Sequence, residues 1–487
     1  MIIINKELTA LIPFFLFFFN IIILTLLISY SIKNFKNLTF TILAFFVSFL
    51  SLFFVIKIDP IDINYLLRID KYSIFYSKVF LIFSCMICIM SYESLKNKKN
   101  NNSQFYLLIL LSTLGCIVLT SVNNLISLCI GIELVNIPLL GLMCCLGNYK
   151  QSLSSVIKYM VLSSISFSFL LFGVACVYIG SEGGLSFFEL QRSLNLAIND
   201  SIYVLLFGIS FIIVSFAFKL SIFPFGLWIS DIYNGMHSIV LSYFSTLSKL
   251  SLFISLVRFF LYVPYIKGKI LYYLLEIMAV FSILFGNIMA LFEPNLKKLM
   301  GYSSMSSFGY LLAALLSFNS FPFFLDVIAI YICSYLASNV GIFFIMNLIN
   351  INNKNKFKEN IISSYKGLFW SDPFLAISLT IMLFSLSGIP INLGFISKFL
   401  LFCSIFNSHL IFLGIVSFLG TLLSFYYYFR IIINLYSFSS EFKKISFFTH
   451  IKTVPGFIIF LLDLFLVFFG FFPSNLIVWL NDVIVFL

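Results

Sequence analysis

The sequence predicts an all-α polytopic membrane protein with about 14 transmembrane helices. Three observations carry this. Of 487 residues, 61% are hydrophobic and 10% charged, with a mean hydropathy of +1.11, a balance outside the soluble range. The apolar residues run continuously for roughly 20 positions, enough to cross a bilayer as helix, whereas a membrane β-barrel shows alternating ~10-residue segments. The longest polar stretches, 93–104 and 350–366, are loop-sized, so no soluble domain is expected.

The spans follow in order. The first, 8–30, lacks a small-residue cleavage site and is long enough to stay as a span, so no cleavable signal peptide is expected. Runs at 38–56, 72–92 and 104–121 follow. The fifth, 123–147, holds Glu133 near its middle, where a charge costs roughly 2.5–3.5 kcal/mol on the mildest insertion scale. A short connection around Asn148 and Lys150 makes 153–179 its antiparallel neighbour, with Lys158 early in that span. Spans 201–224 and 237–262 contain Lys219, Pro224 and Lys249, and the stretch between 201 and 262 is interrupted. Spans 270–292, 299–317 and 324–349 precede a second interrupted stretch, 373–400, with Gly388, Pro390 and Lys398. Spans 406–436 and 454–482 complete the chain.

The net charge of +11 is a topology signal, not a nucleic-acid signal. Odd-numbered loops hold 15 cations: Lys33, Lys36, Lys96, Lys98, Lys99, Lys150, Lys297, Lys298, Lys354, Lys356, Lys358, Lys366, Lys443, Lys444 and Lys452. Even-numbered loops hold 6: Lys57, Arg68, Lys71, Arg192, Lys267 and Lys269. The positive-inside rule therefore puts odd loops in the cytoplasm and both termini outside. Most of the nine cysteines lie within spans. Cys85 and Cys88 form a C-x-x-C inside an apolar helix without a βαβ context, and they and Cys144–Cys145 are read as packed or lipid-facing thiols. Abundant Phe, Ile, Asn and Lys share AT-rich codons, which lowers the weight of any single such residue.

Seven cations fall inside or at the ends of spans: Lys78, Lys158, Lys219, Lys249, Arg258, Lys398 and Arg430. Lys78, Arg258 and Arg430 fit snorkelling to the headgroups. Lys219, Lys249 and Lys398 do not, since each is far from a span end or beside a break. A lone carboxylate such as Glu133 needs a partner or a proton, and Lys158 is the nearest lysine in sequence. Pro224 follows Lys219 by five residues, and Pro390 precedes Lys398 by eight. Proline frees a backbone carbonyl, and broken backbone in a membrane is tolerated only when buried or lining a wet cavity. Two broken helices with ionisable neighbours are the mark of a transporter built from inverted repeats.

Several segments carry a specific resemblance: Gly131-Ile-Glu133-Leu-Val-Asn-Ile-Pro138, Ser155-Val-Ile-Lys158, Phe218-Lys219-Leu-Ser-Ile-Phe-Pro224-Phe-Gly226-Leu-Trp228, Asp231-Ile-Tyr-Asn-Gly235, Ser245-Thr-Leu-Ser-Lys249, Asn295-Leu-Lys-Lys-Leu-Met-Gly301, Leu386-Ser-Gly388-Ile-Pro390 and Gly394-Phe-Ile-Ser-Lys398. In order over roughly 100–440, the chain resembles the subunit N family of respiratory NADH:quinone oxidoreductase (complex I), in its gammaproteobacterial version. The AT-rich bias suits a reduced-genome symbiont, with a mitochondrial copy the second option. The resemblance implies 14 helices with two inverted five-helix repeats, at 104–262 and 270–436, flanked by 1–103 and 437–487. It implies that Glu133 pairs with Lys158 or Lys219, that Lys249 is a central relay, and that Lys398 leads to the outer face. The NADH, flavin mononucleotide, iron–sulfur and quinone sites belong to other subunits, so no cofactor or metal is expected in this chain. The expected setting is a bacterial inner membrane or mitochondrial inner membrane, with other membrane-arm subunits and lipid as partners and no homo-oligomer.

The chain departs from the family where relay histidines stand: Gly226 and Ser307 replace them. His237 is read as a helix-start residue, with a substitute relay role as the alternative. Competing readings are a multisubunit cation/proton antiporter, a membrane-bound hydrogenase subunit, and a structural subunit without transport.

Overall fold

The computed structural model describes residues 2–30, 34–55, 60–96, 102–146, 149–196, 199–263, 269–317, 324–352, 361–438 and 453–476. In chain order the helices are α1 (Ile2–Ser29), α2 (Asn34–Val55), α3 (Lys71–Lys96), α4 (Asn102–Thr120), α5 (Leu125–Leu146), α6 (Tyr149–Gly180), α7 (Phe187–Leu196), α8 (Asn199–Leu220), α9 (Ile229–Gly235), α10 (Ser238–Tyr243), α11 (Lys249–Tyr262), α12 (Lys269–Phe292), α13 (Leu296–Leu316), α14 (Phe324–Asn352), α15 (Leu368–Ser371), α16 (Pro373–Ser387), α17 (Leu393–Asn407), α18 (Ile411–Tyr436) and α19 (Val454–Phe471). Thirteen helices among the described residues are long and apolar enough to cross a membrane. Pro373–Ser387 and Leu393–Asn407 are shorter apolar helices that together form one interrupted span, which makes the fourteenth crossing.

Two small elements escape the sequence reading. A hairpin of β1 (Ile61–Ile63) and β2 (Leu67–Ile69) pairs antiparallel, with Asp62 opposite Arg68. The short α7 fills the connection after α6 and starts on a capping box: Glu189 N–H donates to Ser186 Oγ at 3.3 Å, and Glu189 Oε2 accepts from Ser186 N–H at 3.1 Å. The Ser186 hydroxyl and backbone N–H hold the Glu189 carboxyl below the usual carboxylate range.

The chain divides into two compact units. The first holds residues up to Leu220 with Leu247–Tyr273. There α4 packs along α5, α6 along α8, α3 between α2 and α4, and α11 against α4 and α8. The second holds Ser221–Thr246 and the chain from Leu274 onward. There α14 packs on α10, α13, α16, α17 and α19, and α13 packs on α9. The segment after Lys219, with α9 and α10, belongs to the second unit. The spans Leu296–Leu316 and Phe324–Ile351 are wholly enclosed by protein, whereas α1 and α6 are mostly exposed. The enclosed helix α13 carries buried Ser303, Ser304, Ser306 and Ser307. Exposed faces are apolar, such as Phe15, Phe18, Phe19 and Ile22 on α1.

The position of Arg258 corrects the snorkelling expectation for that residue. Arg258 has no exposed surface. It is bound to the carboxylate of Asp70, itself buried, and donates to the Thr120 carbonyl, which ends α4. Arg430 donates to the carbonyls of Leu291 (2.9 Å) and Glu293 (2.7 Å) at the end of α12. Lys78 lies 3.9 Å from the Phe53 ring centroid. Lys297, counted among the loop cations, is buried and donates to the Met236 carbonyl at 3.0 Å, at the end of α9. Each guanidinium and the Lys297 ammonium thus takes helix-terminal carbonyls that otherwise lack partners.

Candidate functional site

Lys219 stands in the last turn of α8. The helix stops at Leu220 because Ser221 takes a left-handed conformation (φ 58) ahead of the cis Phe223–Pro224 bond. Residues 221–228 are non-helical before α9 begins. The Lys219 side chain is buried, 5.9 Å from the Phe167 ring centroid, and its Nζ has no hydrogen-bond partner among the described residues.

Glu133 lies half-buried on α5, and its charge acts on Lys219 and on Tyr159. Its Oε1 accepts from Asn136 Nδ2 at 3.5 Å, and Asn136 Oδ1 accepts from Tyr159 Oη at 3.1 Å. Glu133 is therefore tied across to α6 by Asn136 and Tyr159. Lys158 is placed otherwise: it is exposed on the surface of α6. One residue turns a helix by about 100°, so presenting Tyr159 to α5 sends Lys158 outward.

Lys249 opens α11, with 1% of its surface exposed. The turn before it, Phe244–Ser248, is π-helical. In that turn Thr246 Oγ1 (2.5 Å) and Ser245 Oγ (3.4 Å) both donate to the Ser242 carbonyl. Tyr335 of α14 donates to the Ser245 carbonyl at 3.3 Å. Single π turns inside α-helices concentrate at functional sites because they leave backbone carbonyls available. The sequence reading places Lys249 mid-span but gives no sign of this turn.

The second break separates α16 from α17. Gly388 ends α16 in the left-handed region (φ 83), and Ile391 also has positive φ (98). That φ is strained for a β-branched residue. Lys398, in the second turn of α17, reaches back to the break: its Nζ donates to the Ser387 carbonyl at 3.0 Å and approaches Ser424 Oγ at 3.5 Å. The ammonium thus rests on the C-terminal end of α16, where the helix dipole favours a cation. A Cβ on Gly388 would come within 2.8 Å of Lys398 Cδ, so glycine here serves both the turn and the lysine's path. Ser334 Oγ donates to Ser397 Oγ at 3.2 Å, fixing this turn to α14.

Beside Lys398 lies a cavity of about 20 Å³, large enough for a water molecule. Its walls are polar: Ser303, Ser306, Ser307 and Tyr310 from α13, Tyr331 and Tyr335 from α14, and Ser424, Tyr427 and Tyr428 from α18. These hydroxyls both donate and accept. Tyr427 Oη donates to Asn287 Oδ1 at 3.1 Å.

The positions of the missing histidines now have physical accounts. Ser307 lines the cavity, so a small hydroxyl stands where an imidazole would occupy space. At Gly226 a Cβ would meet the Ser221 carbonyl oxygen at 2.3 Å, so this turn accepts only glycine. His237 caps α10, its Nδ1 accepting from Ile239 N–H at 3.5 Å, which is the helix-start role. No cluster of metal-ligating residues occurs among the described residues.

Residues 122–424 match the family described as NADH:quinone oxidoreductase/Mrp antiporter, TM. The NADH-quinone oxidoreductase subunit N of Buchnera aphidicola subsp. Acyrthosiphon pisum is 42% identical over 98% of this chain and 99% of its own length. That of Buchnera aphidicola subsp. Schizaphis graminum is 41% identical over 99% of this chain and 100% of its own. The fold is shared with chains in respiratory complex I of Thermus thermophilus with bound aureothin (TM-score 0.79, 20% identity, 96% of this chain and 98% of that one) and in the membrane-bound sulfane sulfur reductase, an archaeal respiratory membrane complex (TM-score 0.86, 20% identity, 98% of each). The Mrp complex of Dietzia sp. DQ12-45-1b holds another such chain (TM-score 0.82, 14% identity, 96% of each). Near-full-length identity above 40% to two such subunits, on a polytopic helical fold with two broken spans, makes this chain a member of the NADH-quinone oxidoreductase subunit N family.

Proposed function

We propose that the chain translocates protons across the membrane as the N subunit of an NADH:quinone oxidoreductase. In this reading Glu133 biases Lys219, Lys249 relays, and Lys398 delivers to the outer half of the path. Gly388, Pro390 and Pro224 keep the two breaks open. The observation that carries the reading is the setting of Lys398: a buried ammonium on the end of a half-helix, beside a water-sized polar cavity. A relay lysine must exchange its proton in each cycle, which fixed dry packing forbids and a hydratable polar wall permits.

Lys158 contributes from the outer surface, and Tyr159 with Asn136 holds the Glu133 carboxylate. The two five-helix repeats, 104–262 and 270–436, each supply one broken span. Membrane-arm subunits and lipid surround the chain, while NADH, flavin, iron–sulfur clusters and quinone bind elsewhere in the complex. In this reading both termini lie on the outer side of a bacterial inner membrane, which the excess of lysine in the odd loops supports. The fold is common to antiporter and reductase complexes, so the near-full-length relatives, and not the fold, favour complex I over those alternatives.

The test is Glu133→Gln, which keeps shape and hydrogen bonding but removes charge. The assembled complex should oxidise NADH and pump at least twofold fewer protons per NADH. Unchanged pumping in that variant would refute the assignment of Glu133.

A further inference from the structure

Asp463 is the tenth residue of α19, in the middle of a membrane-spanning helix. Its side chain is buried, with 7% of the residue's surface exposed. Its Oδ1 has no hydrogen-bond partner among the described residues, and no cation there pairs with it. Among the described residues nothing partners this buried acid at Oδ1, and ionisable residues inside membrane helices mark ion pathways by default.

Its position gives the account. Helix α19 packs on α14, α16 and α17, which include both halves of the second broken span. Gly470 fixes the register: a Cβ there would lie 2.2 Å from the Ile391 carbonyl oxygen and 2.8 Å from Asn392 Cα, so the α19 backbone lies directly on the break. Asp463 is seven residues earlier, two helical turns, and thus on the same face about 10 Å along the axis. Since α18 returns the chain, α19 runs in the same sense as α16 and α17. Asp463 therefore lies on the α16 side of the break, the side from which the Ser387 carbonyl receives Lys398.

We propose that Asp463 is a proton-carrying residue of the second half, exchanging protons with Lys398 through water admitted at residues 388–392. This rests on the proton-translocation reading. A carboxyl with a free oxygen accepts a hydrogen bond from water when ionised and donates one when protonated, as a station on a water path requires.

The test uses the whole complex in sealed vesicles with four forms of the chain: wild type, Lys398→Met, Asp463→Asn and Asp463→Glu. The expected result is that Lys398→Met and Asp463→Asn each lower protons pumped per NADH at least twofold at unchanged assembly. Asp463→Glu should restore the wild-type value, which a packing role would not do, since the longer side chain fills space differently. In parallel, dicyclohexylcarbodiimide is applied to the wild-type complex. A protonated carboxyl adds across its C=N bond and rearranges to an N-acylurea that retains all the atoms of both, and peptide mass spectrometry should find this adduct on Asp463. Loss of pumping in Lys398→Met with wild-type pumping in Asp463→Asn, or no adduct on Asp463, overturns the inference and leaves the parent reading intact. Reduced assembly with normal pumping per assembled complex makes Asp463 a packing residue and also overturns it. Wild-type pumping in Lys398→Met overturns the parent reading and this one with it.

Discussion

Four cations of this chain rest on carbonyls at helix C-terminal ends: Lys398 on Ser387, Lys297 on Met236, Arg258 on Thr120, and Arg430 on Leu291 and Glu293. The Asp70–Arg258 pair should be the most sensitive to half-removal, because breaking a buried pair leaves an uncompensated charge worth about 3–5 kcal/mol. Asp70→Asn should therefore lower the yield and thermal stability of the assembled complex. The double variant Asp70→Asn/Arg258→Met should recover part of the loss, measured by thermal unfolding of the solubilised complex. At Lys249, alanine should damage pumping more than arginine, because arginine keeps the charge but does not readily release a proton; initial pumping rates decide it. Lys219, Lys249 and Lys398 were legible in the sequence because a mid-span charge is too costly to be incidental. Arg258 and Lys297 were not, since both lie near span ends and their partners are far away in sequence. The exposure of Lys158 on α6 was not legible for another reason. Where a helix is apolar nearly all round, one sequence does not tell which face meets its neighbour, so Tyr159 and Lys158 could not be distinguished.

At the scale of elements, the two breaks were legible from proline and glycine beside lysine, and each is a non-helical turn with one strained non-glycine residue, Ser221 or Ile391. Gly388→Ala should place a Cβ against Lys398 Cδ in a left-handed turn. The expected outcome is an assembled complex with reduced pumping, read as protons per NADH in vesicles. The π turn before Lys249 has no sequence signature, because it depends on an extra residue being accommodated by packing. Helix α7 was missed because a ten-residue amphipathic segment falls below the length of a span; its capping box was its only local signal. Ser186→Ala removes that cap at about 1 kcal/mol, so amides at the start of α7 should exchange with deuterium faster while the neighbouring α8 is unaffected.

At the scale of the molecule, the count of crossings follows from hydropathy and bilayer thickness alone, and the structure holds to it. What composition could not supply is the gathering of polar groups into one place: serines and tyrosines from α13, α14 and α18, scattered over more than a hundred positions, meet around Lys398. The cavity puts hydroxyls around Ser307, where one relay imidazole is gone, so the loss of that histidine does not by itself imply loss of transport. The central claim is that the buried lysines of this chain carry protons. It is tested most directly by replacing Lys219, Lys249 and Lys398 together with methionine, which keeps length and removes charge, and counting protons pumped per NADH oxidised by the assembled complex in sealed vesicles. The account predicts a lower proton count per NADH than in wild type, with NADH oxidation continuing. An unchanged count with the complex fully assembled would contradict it.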